Sequence, residues 1–211
     1  MMPGPTVIRK CSACGNLIAE HTIVSGNTFE ARFWTDGKRD APMLPDAPWL
    51  VKCTHCGAHI WIDEQEQVGE IESWGQTGRN DANFKDVRPP STPSLQDYLT
   101  TLAKGVLPRE KEKYLRLRAW WAGNDGRREK DRAGTMLDEE LTNLRSFVQL
   151  LDEADENDRI LKAEAMRELG RFAEAEALLA KPFSEELTQA AAIVSDFTRQ
   201  KIQSVREMKF Q

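Results

Sequence analysis

Residues 53–57 read CTHCG and residues 11–15 read CSACG, so each stretch carries two cysteines separated by two residues. The chain has no other cysteine. Two intervening residues let one tight turn present both sulfur atoms to the same metal, and four thiolates complete a tetrahedral site. The glycine after each pair permits the positive φ that such a turn usually requires. The spacing therefore predicts one zinc ion per chain, held by Cys11, Cys14, Cys53 and Cys56.

The same cysteines also suit two other kinds of chemistry. An iron site or a pair of redox dithiols would use the same sulfur atoms. His55 and His59 lie close to the second pair and could replace one thiolate. Because four cysteines are already present, we favour a four-thiolate zinc site, with both histidines as ordinary strand or surface residues. Four thiolates leave no coordination position for water, which indicates a structural metal and not a reaction centre.

The residues around the cysteines predict short antiparallel strands. Trp49-Leu50-Val51-Lys52 leads into the second pair and Ile60-Trp61-Ile62 leads out of it, which predicts a hairpin with the metal at its tip. From Thr28 to Trp34, apolar and charged residues alternate, which predicts a further strand ended by a turn at Asp36-Gly37. Residues 1–74 are therefore expected to form a small zinc-stapled β domain.

The composition changes twice after this domain. Residues 75–93 are rich in Gly, Asn, Asp, Arg and Pro, which predicts a linker. Residues 94–211 have helical periodicity and are expected to form an antiparallel array of six helices. Ser94 is a predicted N-cap, a second helix is expected over about 108–122, and the last helix is expected to start at Ser184 and to include Met208. The predicted fold class is α+β.

The apolar seam of the third helix is the most regular in the chain. Thr135-Met136-Leu137-Asp138 is expected to cap this helix. Apolar residues then recur at spacings of four, three, four and three, at Leu137, Leu141, Leu144, Val148 and Leu151. We expect this seam to face the core of the helical domain.

Two families resemble parts of the chain. The cysteine pairs resemble the rubredoxin-type turns of zinc-ribbon proteins, with 38 residues between Cys14 and Cys53, a longer spacing than is usual in a ribbon. Residues 161–179 resemble one tetratricopeptide helix-turn-helix, with Gly170 at the turn and small residues, Ala163 and Ala175, at the positions where two helices approach closely. The first resemblance implies a metal, and the second implies a single helix-turn-helix, because no second copy occurs at a fixed period. Neither implies a particular task.

Charge and composition argue against several classes of protein. The 211 residues carry a net charge of −5, and neither 1–93 nor 94–211 has an excess of Lys and Arg, so general attraction to nucleic acid or an anionic membrane is disfavoured. No apolar run is long enough for a membrane span, and residues 1–10 do not resemble a signal peptide, so we expect a cytoplasmic protein. Phosphate-binding loops, HExxH and nucleophile-elbow motifs are absent, so we expect no enzyme.

One basic and aromatic segment is a candidate partner surface. Residues 104–132 hold ten Lys or Arg against five Asp or Glu, interleaved with Tyr114 and two adjacent tryptophans. Such a composition suits single-stranded nucleic acid or an acidic partner. The alternative, which we favour, is that the basic side chains pair with acids on neighbouring helices. Adjacent helical positions diverge by about 100°, so one Trp ring should pack inside while the other lies between the domains or on a partner. The candidate partner-binding residues of this segment are Arg116, Arg118, Trp120, Trp121, Arg127 and Arg128.

Tryptophan is a second indicator of a binding surface. Four of the six tryptophans lie in the first part of the chain, at Trp34, Trp49, Trp61 and Trp74. A small sheet needs large side chains to bury enough apolar area, so we expect most of them in the core. Any exposed remainder would be suited to contact with a partner.

These features together predict a non-catalytic, bacterial-type zinc-binding adaptor that binds a protein partner. The alternative is a nucleic-acid- or ribosome-associated factor that uses the basic segment, in particular Arg127, Arg128, Lys130 and Arg132. A weaker alternative is a regulatory or inhibitory subunit of an enzyme. The sequence indicates neither the identity of a partner nor the oligomeric state.

Overall fold

The chain folds into two compact units. The computed structural model describes residues 1–72, 84, 87–128 and 135–210. The first unit, here called the β unit, contains Met1–Ala31 and Ala41–Pro93. The second, here called the helical unit, contains Arg32–Asp40 and Ser94–Gln211. Small antiparallel sheets precede the helices along the chain, so the predicted α+β class is confirmed.

Short strands form three small sheets within the described ranges. The strands are β1 (Met2–Lys10), β2 (Leu17–Ser25), β3 (Arg32–Trp34), β4 (Arg39–Asp40), β5 (Leu50–Lys52), β6 (His59–Trp61), β7 (Glu66–Ile71) and β8 (Glu207–Met208). The β unit holds a sheet of order β2-β1-β7 and the pair β5-β6, and the helical unit holds a sheet of order β4-β3-β8. Lys52 pairs with His59 across β5 and β6, which confirms the hairpin predicted around the second cysteine pair.

The core of the β unit surrounds two of the cysteines. Cys11 and Cys53 are each 1% exposed and pack with Ile18, Val51, Ile60 and Ile62. These isoleucines and the valine come from β2, from the hairpin and from the short 3-10 turn Ile62–Glu64 that follows it. The branched side chains of these strands therefore pack directly around the sulfur atoms of the predicted metal site.

Part of the predicted linker belongs to the β unit. Arg88 forms a parallel bridge with Ile18, and Ser91 forms an antiparallel bridge with Lys52. Residues 73–83 and 85–86, which include Trp74, lie outside the described residues. The sequence-based division into 1–74, 75–93 and 94–211 stays a prediction, but Arg32–Asp40 lies in the helical unit.

The strand predicted for residues 28–34 is wrong in its first half. Only Arg32–Trp34 pairs as a strand. Glu30 has a φ of 59°, a left-handed conformation that interrupts an extended strand, and the Ala31 N–H donates to the Thr28 carbonyl at 3.0 Å in a turn. Phe29 is consequently 73% exposed instead of buried.

Six helices fall within the described part of the helical unit. They are α1 (Leu95–Leu102), α2 (Arg109–Arg128), α3 (Asp138–Val148), α4 (Glu156–Glu168), α5 (Phe172–Leu179) and α6 (Glu185–Arg199). Ser94 caps α1 as predicted, because its hydroxyl accepts from the Asp97 N–H at 3.2 Å while the Asp97 carboxylate accepts from the Ser94 N–H at 2.9 Å. No helix in these ranges has the length and apolar content needed to cross a membrane.

The last helix ends earlier than predicted. It stops at Arg199, and Lys201 then takes a φ of 55°, while the Ile202 N–H donates to the Phe197 carbonyl at 3.1 Å. A left-handed residue with such a hydrogen bond terminates a helix. Met208, predicted on α6, instead pairs with Phe33 in the sheet β4-β3-β8.

The apolar seam of α3 is confirmed in its C-terminal part. Leu144, Val148 and Leu151 are buried, although Leu151 lies beyond the end of the helix. Leu137, at the start of the predicted seam, is 58% exposed because it precedes the first residue of α3. Helix α2 continues to Arg128, beyond its predicted end at about residue 122.

The core of the helical unit includes the helix-turn-helix around Gly170. Ala163 and Ala175 are fully buried and belong to an apolar cluster that also contains Trp120 and Phe147. Small residues at these positions allow close approach of helices. Helices α4 and α5 lie where the tetratricopeptide resemblance places its two helices, and that resemblance stays a prediction.

Candidate metal centre

The two cysteine turns have the same backbone construction. In the first, the Gly15 N–H donates to the Cys11 carbonyl at 2.8 Å, and in the second, the Gly57 N–H donates to the Cys53 carbonyl at 2.8 Å. Gly15 has a φ of 74° and Gly57 a φ of 73°, as the sequence predicts. Each first cysteine also donates its N–H to a carbonyl five residues later, at 2.9 Å. Both turns therefore aim two sulfur atoms toward one point.

The four sulfur atoms have the spacing of a tetrahedral metal site. All four Sγ atoms lie within 4.8 Å of one another. The distance from Cys11 Sγ to Cys56 Sγ is 4.0 Å, and that from Cys14 Sγ to Cys53 Sγ is 3.9 Å. Metal–sulfur bonds of about 2.3 Å at tetrahedral angles place the sulfur atoms about 3.8 Å apart. The residues present therefore fit a four-thiolate zinc site.

The environment of the sulfur atoms is asymmetric. Cys11 and Cys53 are buried, and Cys14 and Cys56 are exposed. Burial raises the pKa of the Cys11 thiol. The backbone N–H of Asn16, followed by its side-chain amide, lowers the pKa of the Cys14 thiol to about 6. A group that donates hydrogen bonds to a sulfur atom stabilises its thiolate, which is the form that binds a metal.

Several residues that support this site were not identified from the sequence. Asn16 Nδ2 lies 3.4 Å from Cys14 Sγ. The buried Gln65 accepts from the Ser12 N–H at 2.8 Å through Oε1 and donates to the Trp61 carbonyl at 2.9 Å, so it connects the first turn to the hairpin. The side chains of Lys10 and Lys52 pass beside the glycines of the two turns. A lysine before each cysteine pair is a visible repeat, KCSACG and KCTHCG, whereas Gln65 leaves no local signal.

Neither histidine near the second turn belongs to the sulfur cluster. Within the described residues, the group with metal-ligand spacing consists of Cys11, Cys14, Cys53 and Cys56. His55 Nε2 lies 3.1 Å from the Leu17 carbonyl, which holds the ring against the backbone of β2. His59 lies on β6. This placement agrees with the ordinary structural role that the sequence favours for them.

The candidate tryptophans lie in different environments of the helical unit. Trp120 is 4% exposed, and its Nε1 donates to Glu168 Oε2 at 2.9 Å. Trp121 is half-buried, and its Nε1 donates to the Asp36 carbonyl at 2.9 Å. The ring of Trp120 is therefore part of the core, and the ring of Trp121, next to Arg118, is the more accessible of the two.

The candidate arginines on α2 make contacts within the helical unit. Arg116 pairs with Glu112 at 2.7 Å, Arg127 pairs with Glu140 at 2.6 Å, and Arg128 pairs with Asp125 at 2.6 Å and with Asp36. Arg118 lies over the rings of Tyr114 and Trp121. Lys130 and Arg132 lie outside the described residues. The cysteines belong to the other unit, so the sequence-predicted residues form two separate groups.

A buried polar network in the helical unit has no counterpart among the sequence-based predictions. Asp36, Glu164 and Arg167 are fully buried, and Glu168 is 5% exposed. Burial raises the pKa of Glu168 well above its usual value, and the charges of Glu164 and Asp36 add to the effect. A cavity of about 480 Å³ borders Glu168. Acidic residues on amphipathic helices usually face solvent, so the sequence pattern gives no indication of this network.

Comparison with protein-family models, with curated proteins and with solved structures found no match to this chain. The zinc-ribbon and tetratricopeptide likenesses therefore remain resemblances. The interpretation of the site depends on its own geometry, in which four sulfur atoms lie within 4.8 Å of one another.

Proposed function

We propose that the protein is a non-catalytic adaptor in which one structural Zn²⁺, bound by Cys11, Cys14, Cys53 and Cys56, holds the β unit in the form that contacts a protein partner. The observation that carries this proposal is the closeness of four sulfur atoms, all within 4.8 Å of one another, which is compatible with one shared metal ion. Four thiolates fill the coordination sphere of zinc, so a metal bound there supplies folding free energy and no activated water.

The size of the β-unit core explains why a metal would be needed. Among the described residues, the buried apolar cluster around the site has six members, two of which are the ligands Cys11 and Cys53, and the β unit buries four further apolar residues, Ile8, Ala19, Ala41 and Leu50. A core of this size stabilises a small domain only weakly, and such domains commonly depend on a metal or disulfides. Binding of the metal would also fix the relative positions of the hairpin and the first cysteine turn.

The distribution of exposed apolar side chains supports an adaptor role. Ten large hydrophobic residues are exposed within the described ranges, and seven of them lie in the β unit. They are Met1, Met2, Val24, Phe29, Met43, Trp49 and Val68. A contiguous exposed apolar patch is typical of a protein–protein interaction site, and these seven side chains are the candidates for one on the β unit.

Metal content tests the structural half of the proposal. The purified chain should contain one zinc per molecule, and Cys14→Ser should lose most of it, because three thiolates bind zinc less tightly than four. Ser12→Ala changes a non-ligand in the same turn and should keep the zinc. The amide NMR signals of residues 1–31 should broaden in Cys14→Ser while those of the helices stay in place. Full zinc content in Cys14→Ser would contradict the assignment.

Affinity capture from the native cell tests the adaptor half. The zinc-loaded chain should retain a protein partner, and the Cys14→Ser variant should retain less of it, because the β unit is the proposed contact. The Ser12→Ala variant serves as the control. If the zinc-loaded chain retains no protein and the purified chain turns over a metabolite, the adaptor proposal is wrong.

The nucleic-acid alternative is not proposed as a second function, because no specific observation favours it. Arg116, Arg127 and Arg128 pair with carboxylates of the helical unit. A guanidinium held by an internal carboxylate gives little net attraction for phosphate.

A further inference from the structure

The cavity of about 480 Å³ that borders Glu168 lies within the helical unit. Its described lining comes from the C-terminal part of α2, from α3 and the residues just before it, from the end of α4 and from residues 202–206. Cavities that bind small molecules usually measure about 300–1,000 Å³. The cavity therefore has the size of a small-molecule site.

The buried charges next to this cavity do not balance. Asp36 pairs with Arg128, and Glu164 pairs with Arg167. Glu168 is 5% exposed, and none of the ion pairs formed by the described residues includes it. One of three buried carboxyl groups therefore has no cation beside it.

The hydrogen-bond partners of Glu168 are neutral. Trp120 Nε1 donates to Oε2 at 2.9 Å, and Asn124 Nδ2 donates to Oε1 at 3.2 Å. An ionised carboxylate has about four acceptor positions, so Glu168 can accept further hydrogen bonds. Neutral donors also leave its negative charge unbalanced, and such a charge is costly in a protein interior. A positively charged group in the cavity would remove this cost.

The two arginines of the lining do not supply the missing charge. Arg127 pairs with Glu140 at 2.6 Å and donates to Asn124 Oδ1 at 2.9 Å. Arg206 has an interaction of its own, and no hydrogen bond among the described residues joins its side chain to Glu168. Guanidinium groups attract anions, so an anionic ligand is the alternative that an experiment must exclude.

Much of the remaining lining is apolar. The apolar side chains are those of Met136, Leu141, Leu169, Ile202 and Val205. They suit the hydrocarbon part of a ligand, while the carboxyl of Glu168 suits a charged end. We propose that this cavity binds a small organic cation, a primary amine with an apolar substituent, whose ammonium group lies against the Glu168 carboxylate. This site goes beyond the proposed adaptor function and uses no residue of the metal centre.

Three probes of similar shape and different charge test the proposal: benzylammonium, benzyl alcohol and benzoate. Each is titrated into the zinc-loaded, ¹⁵N-labelled chain at about pH 8, which favours the ionised carboxylate. Benzylammonium should shift the Leu169 and Val205 amide signals saturably. It should bind about tenfold or more tightly than benzyl alcohol, because a hydrogen bond between two charged groups is the stronger one. Equal affinities, tighter binding of benzoate, or no shifts at about 20 mM benzylammonium would overturn the proposal.

A neutral substitution locates the charge that selects the ligand. Glu168→Gln keeps an oxygen that can accept from Trp120 and Asn124, and it should reduce the preference for benzylammonium over benzyl alcohol to about threefold or less. Glu174→Gln is the matched control at an exposed acid of α5 and should keep the full preference. The same loss in both variants would show an effect of net charge alone, and no loss in Glu168→Gln would place the amine elsewhere. Either result contradicts the assignment.

A larger side chain tests the cavity itself without a change of charge. Leu141 is half-buried in the lining, and Leu141→Trp should weaken benzylammonium and benzyl alcohol alike by about tenfold, because the indole occupies their space. Far-UV circular dichroism checks that the helices are intact. Unchanged affinities in the folded Leu141→Trp variant would rule out this cavity as the site. The comparison of the three probes needs only the unmodified chain, so it decides the charge preference even if a variant does not fold.

Discussion

Replacement of Arg167 by Met should destabilise the helical unit more than any exposed charge substitution. Arg167 is fully buried, and its Nε donates to Glu164 Oε2 at 2.8 Å. Its other nitrogens donate to the Ser204 carbonyl at 3.1 Å, to the Thr35 hydroxyl at 3.3 Å and to the Ile202 carbonyl. One guanidinium therefore holds α4, the segment before β8 and the segment after β3 together.

The magnitude follows from what the substitution leaves behind. In Arg167→Met the buried Glu164 loses its charge partner, and breaking a buried pair in this way costs about 3–5 kcal/mol. The part-buried carbonyls of Ile202 and Ser204 also lose this donor, at a cost of at most about 1–3 kcal/mol each. A domain has a total free energy of unfolding of about 5–15 kcal/mol, so the variant should be close to unfolded at room temperature.

A second substitution separates the charge from the packing. Glu164→Gln in the Arg167→Met background removes the uncompensated charge, so the double variant should be more stable than Arg167→Met by about 2 kcal/mol. Urea unfolding followed by far-UV circular dichroism measures this difference, because the helices supply most of the signal. Arg171→Met is the matched control, because its pair with Glu174 is about half exposed and should be worth less than about 1 kcal/mol. A double variant no more stable than Arg167→Met would refute the buried-charge argument.

Two further predictions concern a carboxyl group and two glycines. Glu168→Gln removes a carboxyl whose pKa is raised by burial, then by Glu164 and Asp36. Above about pH 4.3, Glu168 of the unmodified chain keeps its proton in the folded state and releases it in the unfolded state. The free energy of unfolding should therefore fall as pH rises, by at most about 1.4 kcal/mol per pH unit. The fall should end once the pH passes the pKa of Glu168 in the folded state. Urea unfolding between about pH 5 and pH 8 should show that the Glu168→Gln variant lacks this contribution to the pH dependence of its free energy of unfolding. The same pH dependence in the variant and the unmodified chain would contradict the prediction. Gly57→Ala should lower the free energy of unfolding of the β unit by about 1 kcal/mol or more, because φ is 73° at this position. Gly126→Ala, on an open face of α2, should raise the free energy of unfolding by up to about 1 kcal/mol. Thermal unfolding measures both changes. Destabilisation by Gly126→Ala equal to that by Gly57→Ala would show that backbone conformation does not decide the outcome.

Local patterns are readable from the sequence where one short segment determines its own conformation. The two cysteine turns depend on spacing and on a glycine with positive φ, both of which lie within five residues. The cap at Ser94 likewise depends on Asp97 three residues later. Such features need no knowledge of the rest of the chain, which is why the spacing alone predicts the cluster of four cysteines.

Features set by distant contacts cannot be read in the same way. Met208 has a helical spacing from Val205. It nevertheless pairs with Phe33, because the strand β3, far away in the sequence, lies beside it in the folded chain. The apolar and charged alternation of residues 28–34 is real, but Glu30 adopts a turn conformation that the pattern does not reveal. Arg167 resembles a surface residue in sequence and becomes buried only because segments from both ends of the helical unit supply acceptors.

The sheet β4-β3-β8 has a consequence for the synthesis of the protein. Arg32 and Glu207, which pair across it, are 175 residues apart in the chain. At a translation rate of about 5–20 residues per second, β3 leaves the ribosome roughly 10–35 s before its partner strand β8 does. During that interval Phe33 and Trp34 lack the strand β8 with which they pair. Closing a loop of this length also costs about 4–5 kcal/mol in chain entropy. The helical unit can therefore be completed only after β8 has emerged, and β3 is the segment for which a nascent-chain chaperone would compete.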